Sequence, residues 1–257
     1  MPLHLDLITD NKPSDMLAGI LQKDFYEADS AVVNKDKTYF TGSKSFVDKN
    51  GKDIIGKAVI SGAQRTDHNE VIDVDIVLKN NNAVEVEFCE KYDESSETTE
   101  VYEVECDDVR FEVETVNRIA IEGEILNTKQ KVYLSAFPFK VSLFNNIDEF
   151  NEWAGVKKPI QVGDTDIKVS GFSETFMGCG TGLGQEVPCT NMIGKIENIR
   201  EIKTIIGGMK TEFIIAYVRT AVGVIPTCIK SNTFKKNELQ VGKLMVAFAY
   251  MKADFVA

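Results

Sequence analysis

The sequence is poor in the residues on which most catalytic chemistry depends. Its two histidines, His4 and His68, belong to no recognisable metal or nucleophile motif, and there is no Gly-x-Ser-x-Gly elbow and no kinase-like set. Carboxylates are plentiful, but they alternate regularly along strand-like runs, which is the pattern of a solvated face rather than of an acid/base pair. A non-catalytic protein without a cofactor is expected. Cys89, Cys106, Cys179, Cys189 and Cys228 form an odd set with no Cys-x-x-Cys pair and read as reduced thiols. Cys179 and Cys189 could supply half of a zinc site, but no histidine lies near them, and no metal is expected. The longest apolar run, Leu244 to Met251, is too short to span a bilayer. The segment Met1 to Asp10 lacks the basic and apolar regions of a secretory signal. A cytoplasmic protein with no membrane partner is expected.

Positive charge is also in deficit: Lys+Arg 29 against Asp+Glu 40 gives −11, which excludes attraction of the whole molecule to nucleic acid or to an anionic membrane. The charge is strongly segregated, however. Residues 68–124 carry 4 basic and 18 acidic groups, a net −14, whereas residues 190–257 carry 10 and 5, a net +5. Different segments are therefore expected to meet different partners. With 257 residues and 43% apolar composition, the chain can bury two or three small cores.

Most of what is present reads as β. Ser14 to Tyr26 offers a Ser cap and apolar positions 16, 17, 20, 21 and 25, predicting one amphipathic helix near 14–27. Asn50-Gly51 between two apolar runs predicts a tight hairpin. Between 70 and 117, Val, Ile and Phe alternate with Asp and Glu, predicting a sheet with one dry face and one densely negative face. Glu85, Glu87, Glu103, Glu105, Glu112 and Glu114 are expected in solvent, with Val84, Val86, Val104 and Val113 inside. A second helix is predicted near 147–154, where Asn146 supplies an N-cap, Glu149 stands at N3 and Gly155 is a stop; its Trp153 reads as a core anchor. The glycines of Met177 to Pro188 suggest a phosphate loop, but no helical stripe follows them, so residues 181–189 read as a connector.

A degenerate repeat organises the second half. Gly123 and Gly194 each open strand-like runs that lead, through a short helical stretch, to Gln161-Val162-Gly163 and Gln240-Val241-Gly242. Three strand-like runs, a helix and a final hairpin form the order of a five-stranded Greek-key barrel. On these residues the chain resembles the OB-fold superfamily, the barrels used in tandem by single-strand-binding proteins and replication protein A. The resemblance implies a mainly β fold of two or three tandem small Greek-key, OB-like barrels with an N-terminal helix. The expected division is a helical segment at 1–37, an acidic β domain at 38–118, an OB-like domain at 119–180, the connector at 181–189 and a basic OB-like domain at 190–257.

Two functions follow. The first is single-stranded nucleic-acid binding by the basic C-terminal barrel, for which stacking aromatics and phosphate-binding cations are needed. Tyr217 and Arg219 share one face of the strand Thr211 to Arg219, with Lys230, Phe234, Lys235 and Lys236 nearby in sequence. The second is a protein-interaction module whose acidic sheet, residues 70–117, mimics nucleic acid or docks on a basic protein partner.

Overall fold

The computed structural model describes residues 8, 13–21, 28–34, 38–64, 69–92, 100–118, 121, 123–156, 160–162, 165–167, 171–180, 189–235 and 237–256. The N-terminal helix α1 (Pro13–Gly19) starts on a proline, which needs no N–H partner in the first helical turn. Residues 22–27, the rest of the predicted helix, lie outside the described residues. Strands β1 (Ser30–Val33), β2 (Tyr39–Val47), β3 (Ile54–Gln64) and β4 (Asn69–Leu78) form an antiparallel four-stranded sheet in chain order. The Asn50-Gly51 hairpin joins β2 to β3 as expected. Gly51 takes φ +68°, and the Asp48 carboxylate accepts the Lys52 N–H at 2.9 Å.

A second, nine-stranded sheet holds the rest. Its strands are β5 (Ala83–Lys91), β6 (Val101–Cys106), β7 (Val109–Val116), β8 (Lys129–Phe144), β11 (Phe176–Cys179), β12 (Thr190–Ile206), β13 (Met209–Thr220), β14 (Gly223–Lys230) and β15 (Leu244–Phe255). Between β8 and β11 lie helix α2 (Ile147–Trp153) and a short pair, β9 (Ile160–Val162) with β10 (Thr165–Ile167). The pairings close two five-stranded circuits. One runs β12, β13, β14, β8, β15 and back to β12; the other runs β5, β6, β7, β15, β8 and back to β5. Each circuit contains one parallel contact, β14 with β8 at Thr227↔Ala136 and β15 with β7 from Lys252↔Glu114.

Both circuits use β8 and β15. At about 3.3 Å per residue, the 16-residue β8 is roughly 50 Å long, enough to serve both. Its residues 129–133 pair with β5, and its remainder follows β15 to Phe144. Ala136, Ala247, Ala249 and Ala253 are fully buried along this shared seam, where small side chains leave room for the single core that fills both circuits. Pro138 sits opposite Ala249 at a register shift. A bulge is where a strand tolerates a residue with no N–H.

The pairings cross the expected domain bounds. Strands that precede 118/119 and strands that follow residues 181–189 in sequence belong to one nine-stranded sheet, in which β8 pairs with β5, β14 and β15. The 38–118 segment is itself divided, with β2 to β4 in the small sheet and β5 to β7 in the large one. Local patterning marks strands but not which long strand is shared. The fold class stands as mainly β with a short N-terminal helix.

The small sheet and α1 cover the outer face of β12 to β14. Ile55, Ile60, Ile76 and Leu78 pack with Ile202, Phe213, Ile215 and Cys228 in one buried cluster. The helix seats closely on the β12–β13 turn because two glycines meet there. A Cβ on Gly19 would lie 1.8 Å from the Gly207 carbonyl oxygen, and Gly207 has φ +57°. Over the same seam runs a polar network. Lys252, fully buried, pairs with Asp75 at 2.5 Å and with Glu114. Asp254 holds Lys57 at 2.9 Å and accepts from Asn117 at 2.8 Å.

Candidate nucleic-acid interface

Of the six residues expected to bind nucleic acid, the five described ones are not brought to one surface. On β13, alternation works as read: Phe213, Ile215 and Tyr217 face outward from the barrel and Ala216 and Val218 inward. The outward side is not a groove, however, because the small sheet packs on it and leaves Tyr217 half-buried at the edge of a cleft. Arg219 is exposed and holds Glu197 through two guanidinium nitrogens, so its charge is already matched. Phe234 packs against the barrel core, on the other side of the wall from Tyr217. Lys230 is half-buried at the end of β14 and Lys235 is exposed, its backbone N–H donating to Glu238 at 2.9 Å. Lys236 lies outside the described residues. Sequence proximity of these lysines to Tyr217 therefore does not become spatial proximity of a cation to an exposed ring.

The acidic surface is also reorganised. Val86, Val104 and Val113 are buried as expected and Val84 is half-buried. Among the six glutamates only Glu85 is exposed; Glu87, Glu103, Glu105 and Glu114 are half-buried and Glu112 is 1% exposed. The reason is cover from other elements. The small sheet lies over Glu114 through Lys252, while β11 and the start of β12 lie over Glu112. Glu112 accepts from the Cys189 N–H at 2.5 Å and the Tyr92 hydroxyl at 3.1 Å. Arg110 bridges Glu105 at 2.7 Å and Glu103 at 3.1 Å.

Burial pushes the Glu112 carboxyl above the usual carboxylate range, although the donors on it pull the other way. The folded chain thus binds this proton more tightly than the unfolded chain, whose glutamates titrate near about 4.3. The contribution of Glu112 to stability is greatest below that value and is lost as pH rises through the raised folded value. In denaturant titrations, Glu112→Gln is expected to flatten the pH dependence of stability just above the usual carboxylate range; parallel curves for variant and wild type would contradict the assignment. Cys179 donates to Glu103 at 3.3 Å. Burial pushes the Cys179 thiol up to about 12 and the Cys189 thiol up to about 11, so both are poor nucleophiles. Among the described residues no group of three or more His, Cys, Asp or Glu is placed to hold a metal.

The surface that does combine an exposed ring with a cation lies on the shared strands, where Phe248 and Tyr250 are half-buried beside it. At the bulge after Pro138, both Phe139 and Lys140 turn to the outer face of β8. Phe139 is 37% exposed, and its ring lies 5.2 Å from Tyr250 and 6.4 Å from Phe248. The Lys140 ammonium sits over the Phe248 ring at 5.5 Å, within cation–π range. Register places Asn191 of β12, Phe248 of β15 and Lys140 of β8 in one row across three strands. The Asn191 Oδ1 is buried without a hydrogen-bond partner among the described residues, a state that costs about 1–3 kcal/mol. Beyond the end of β8, Trp153 of α2 is 69% exposed. Its ring lies against Phe144 at 5.6 Å and Phe150 at 6.0 Å, so it is a surface aromatic and not the expected core anchor. Helix α2 ends at this residue; Phe150 is buried in the cluster below, with Ile147 packed against it.

No protein-family model matches the chain, and no curated protein and no solved structure shows significant similarity to it. Among the described residues no helix is long and apolar enough to cross a membrane.

Proposed function

We propose that the protein is a non-catalytic single-stranded nucleic-acid-binding protein whose contact surface is the outer face of β8 and β15. The carrying observation is the partly exposed Phe139 held between Phe248 and Tyr250 with Lys140 beside them. Rings fixed on paired strands offer faces on which bases stack, each worth about 1–3 kcal/mol, and the cation meets a phosphate. Two circuits, each a three-stranded meander closed by one antiparallel and one parallel neighbour, support the OB-like reading, with strands four and five exchanged between barrels.

This site carries one lysine on a protein of net charge −11, so stacking supplies most of the affinity. Each phosphate contact on a single strand adds about 0.7 to the log–log salt slope. Raising salt fourfold from about 50 mM is therefore expected to weaken binding of a labelled oligothymidylate less than roughly threefold in a polarisation titration. A loss of twenty-fold or so, the mark of about three phosphate contacts, would instead contradict a site with a single lysine. No binding at low salt would overturn the proposal. The acidic alternative would then lead, supported by a cleft of about 390 Å³ where Glu85, Glu87, Glu105, Asp107 and Asp108 outnumber Lys129, a surface suited to a basic protein.

A further inference from the structure

The turn joining β4 to β5 forms, through Lys79, Asn80 and Asn81, the common rim of two clefts, neither of which includes Phe139. One, of about 340 Å³, lies between Leu78, Tyr133 and Asp254; the other, of about 220 Å³, lies between Ile54, Tyr217 and Arg200. Ile54, Lys79, Asn80 and Asn81 line both, and together the two arms reach the size of ordinary small-molecule sites. The charges in their walls, Lys79 apart, are paired with one another. Lys57 is paired with Asp254 at 2.9 Å and Arg200 with Asp53 at 3.1 Å. Asn80 is consumed structurally, donating to the Leu134 carbonyl at 2.9 Å and accepting from the Asn82 N–H at 3.0 Å.

Three polar side chains at the rim remain uncommitted. Lys79 is exposed and makes no ion pair among the described residues, which leaves the paired walls with one net positive charge on an acidic protein. The Asn81 and Asn82 side-chain amides are exposed and make no hydrogen bond among the described residues, and each offers a donor and an acceptor side by side. A polar cleft in which Ile54 and the half-buried Tyr217 supply apolar surface, with two amides and one free cation at its rim, matches a planar heterocycle, its hydrogen-bonding edge and an attached phosphate. We infer that this double cleft binds a nucleotide bearing a single phosphate group, with the base against Tyr217 and Ile54 and the phosphate on Lys79. The nucleotide can be free or the terminal unit of a strand. The inference is independent of the Phe139 surface, which lies elsewhere on β8.

The test titrates adenosine 5′-monophosphate into the full-length, isotopically labelled protein, with the Asn81 and Asn82 side-chain amide signals as the readout. Those signals are expected to shift saturably. Lys79→Ala, a surface change that leaves the melting temperature unaltered, is expected to weaken binding about tenfold, the effect of losing a hydrogen bond to a charged group. Phe139→Ala is expected to leave it unchanged. Displacement of the nucleotide by a short oligonucleotide identifies the strand end as the source, and lack of displacement identifies the free nucleotide; both support the site. No saturable shift at millimolar nucleotide, equal binding by inorganic phosphate alone, or indifference to Lys79→Ala would each overturn it.

Discussion

Lys252→Met is expected to lower the melting temperature by on the order of ten degrees. Lys252 is 0% exposed, and its ammonium pairs with Asp75 and Glu114, which are contributed by different sheets. Burial alone would depress its pKa, but the two carboxylates outweigh that and raise it, so the group is charged in the folded chain. Removing one member of a buried ion pair strands the other, at a cost of about 3–5 kcal/mol. In a chain of this size, each kcal/mol moves the midpoint by about 2–4 °C. Neutralising the partners as well, in Lys252→Met with Asp75→Asn and Glu114→Gln, is expected to recover most of the loss, since burying no charge is cheaper than burying an unpaired one. A single variant that melts within about 2 °C of the wild type would show that Lys252 does not tie the small sheet to the nine-stranded one.

Phe139→Ala is expected to weaken single-strand binding roughly 5- to 150-fold, the range of one lost base stack. The residue stands at a bulge and is 37% exposed, so its removal costs the fold little and the loss reads on the ligand. The salt slope is expected to stay as in the wild type, because stacking releases no counterions. Lys140→Ala should do the reverse, with a smaller loss and a slope reduced by about 0.7. Equal affinities for wild type and Phe139→Ala, both folded, would remove β8 from the interface.

Period-two alternation on Thr211 to Arg219 placed each side chain on its proper face, and Asn146, Glu149 and Gly155 marked α2, with Asn146 accepting the Glu149 N–H at 2.9 Å and Gly155 at φ +71°. These features are local, set by a residue and its near neighbours. What alternation does not encode is which sheet covers a face. The outward side of β13 is as apolar as a core strand because the small sheet lies on it, and Glu112 and Glu114 alternate like solvated residues yet meet β12 and Lys252. The Phe139 surface did leave a trace. In β15, Ala247 and Ala249 alternate with Phe248 and Tyr250, so the small residues face the crowded seam and the rings face away from it. The other half of that surface depends on the bulge at Pro138, which shifts the register by one residue and which period-two alternation does not encode.

Photo-cross-linking of the unmodified protein to a 4-thiothymidine oligonucleotide, followed by mapping of the adducted peptides, locates the bound strand directly. Adducts are expected on the peptides that carry Phe139 and Phe248 to Tyr250. Adducts confined to the Tyr217 strand or to the segment around Lys230 and Lys235, or to the β5 to β7 face, would contradict the assignment of the interface to β8 and β15.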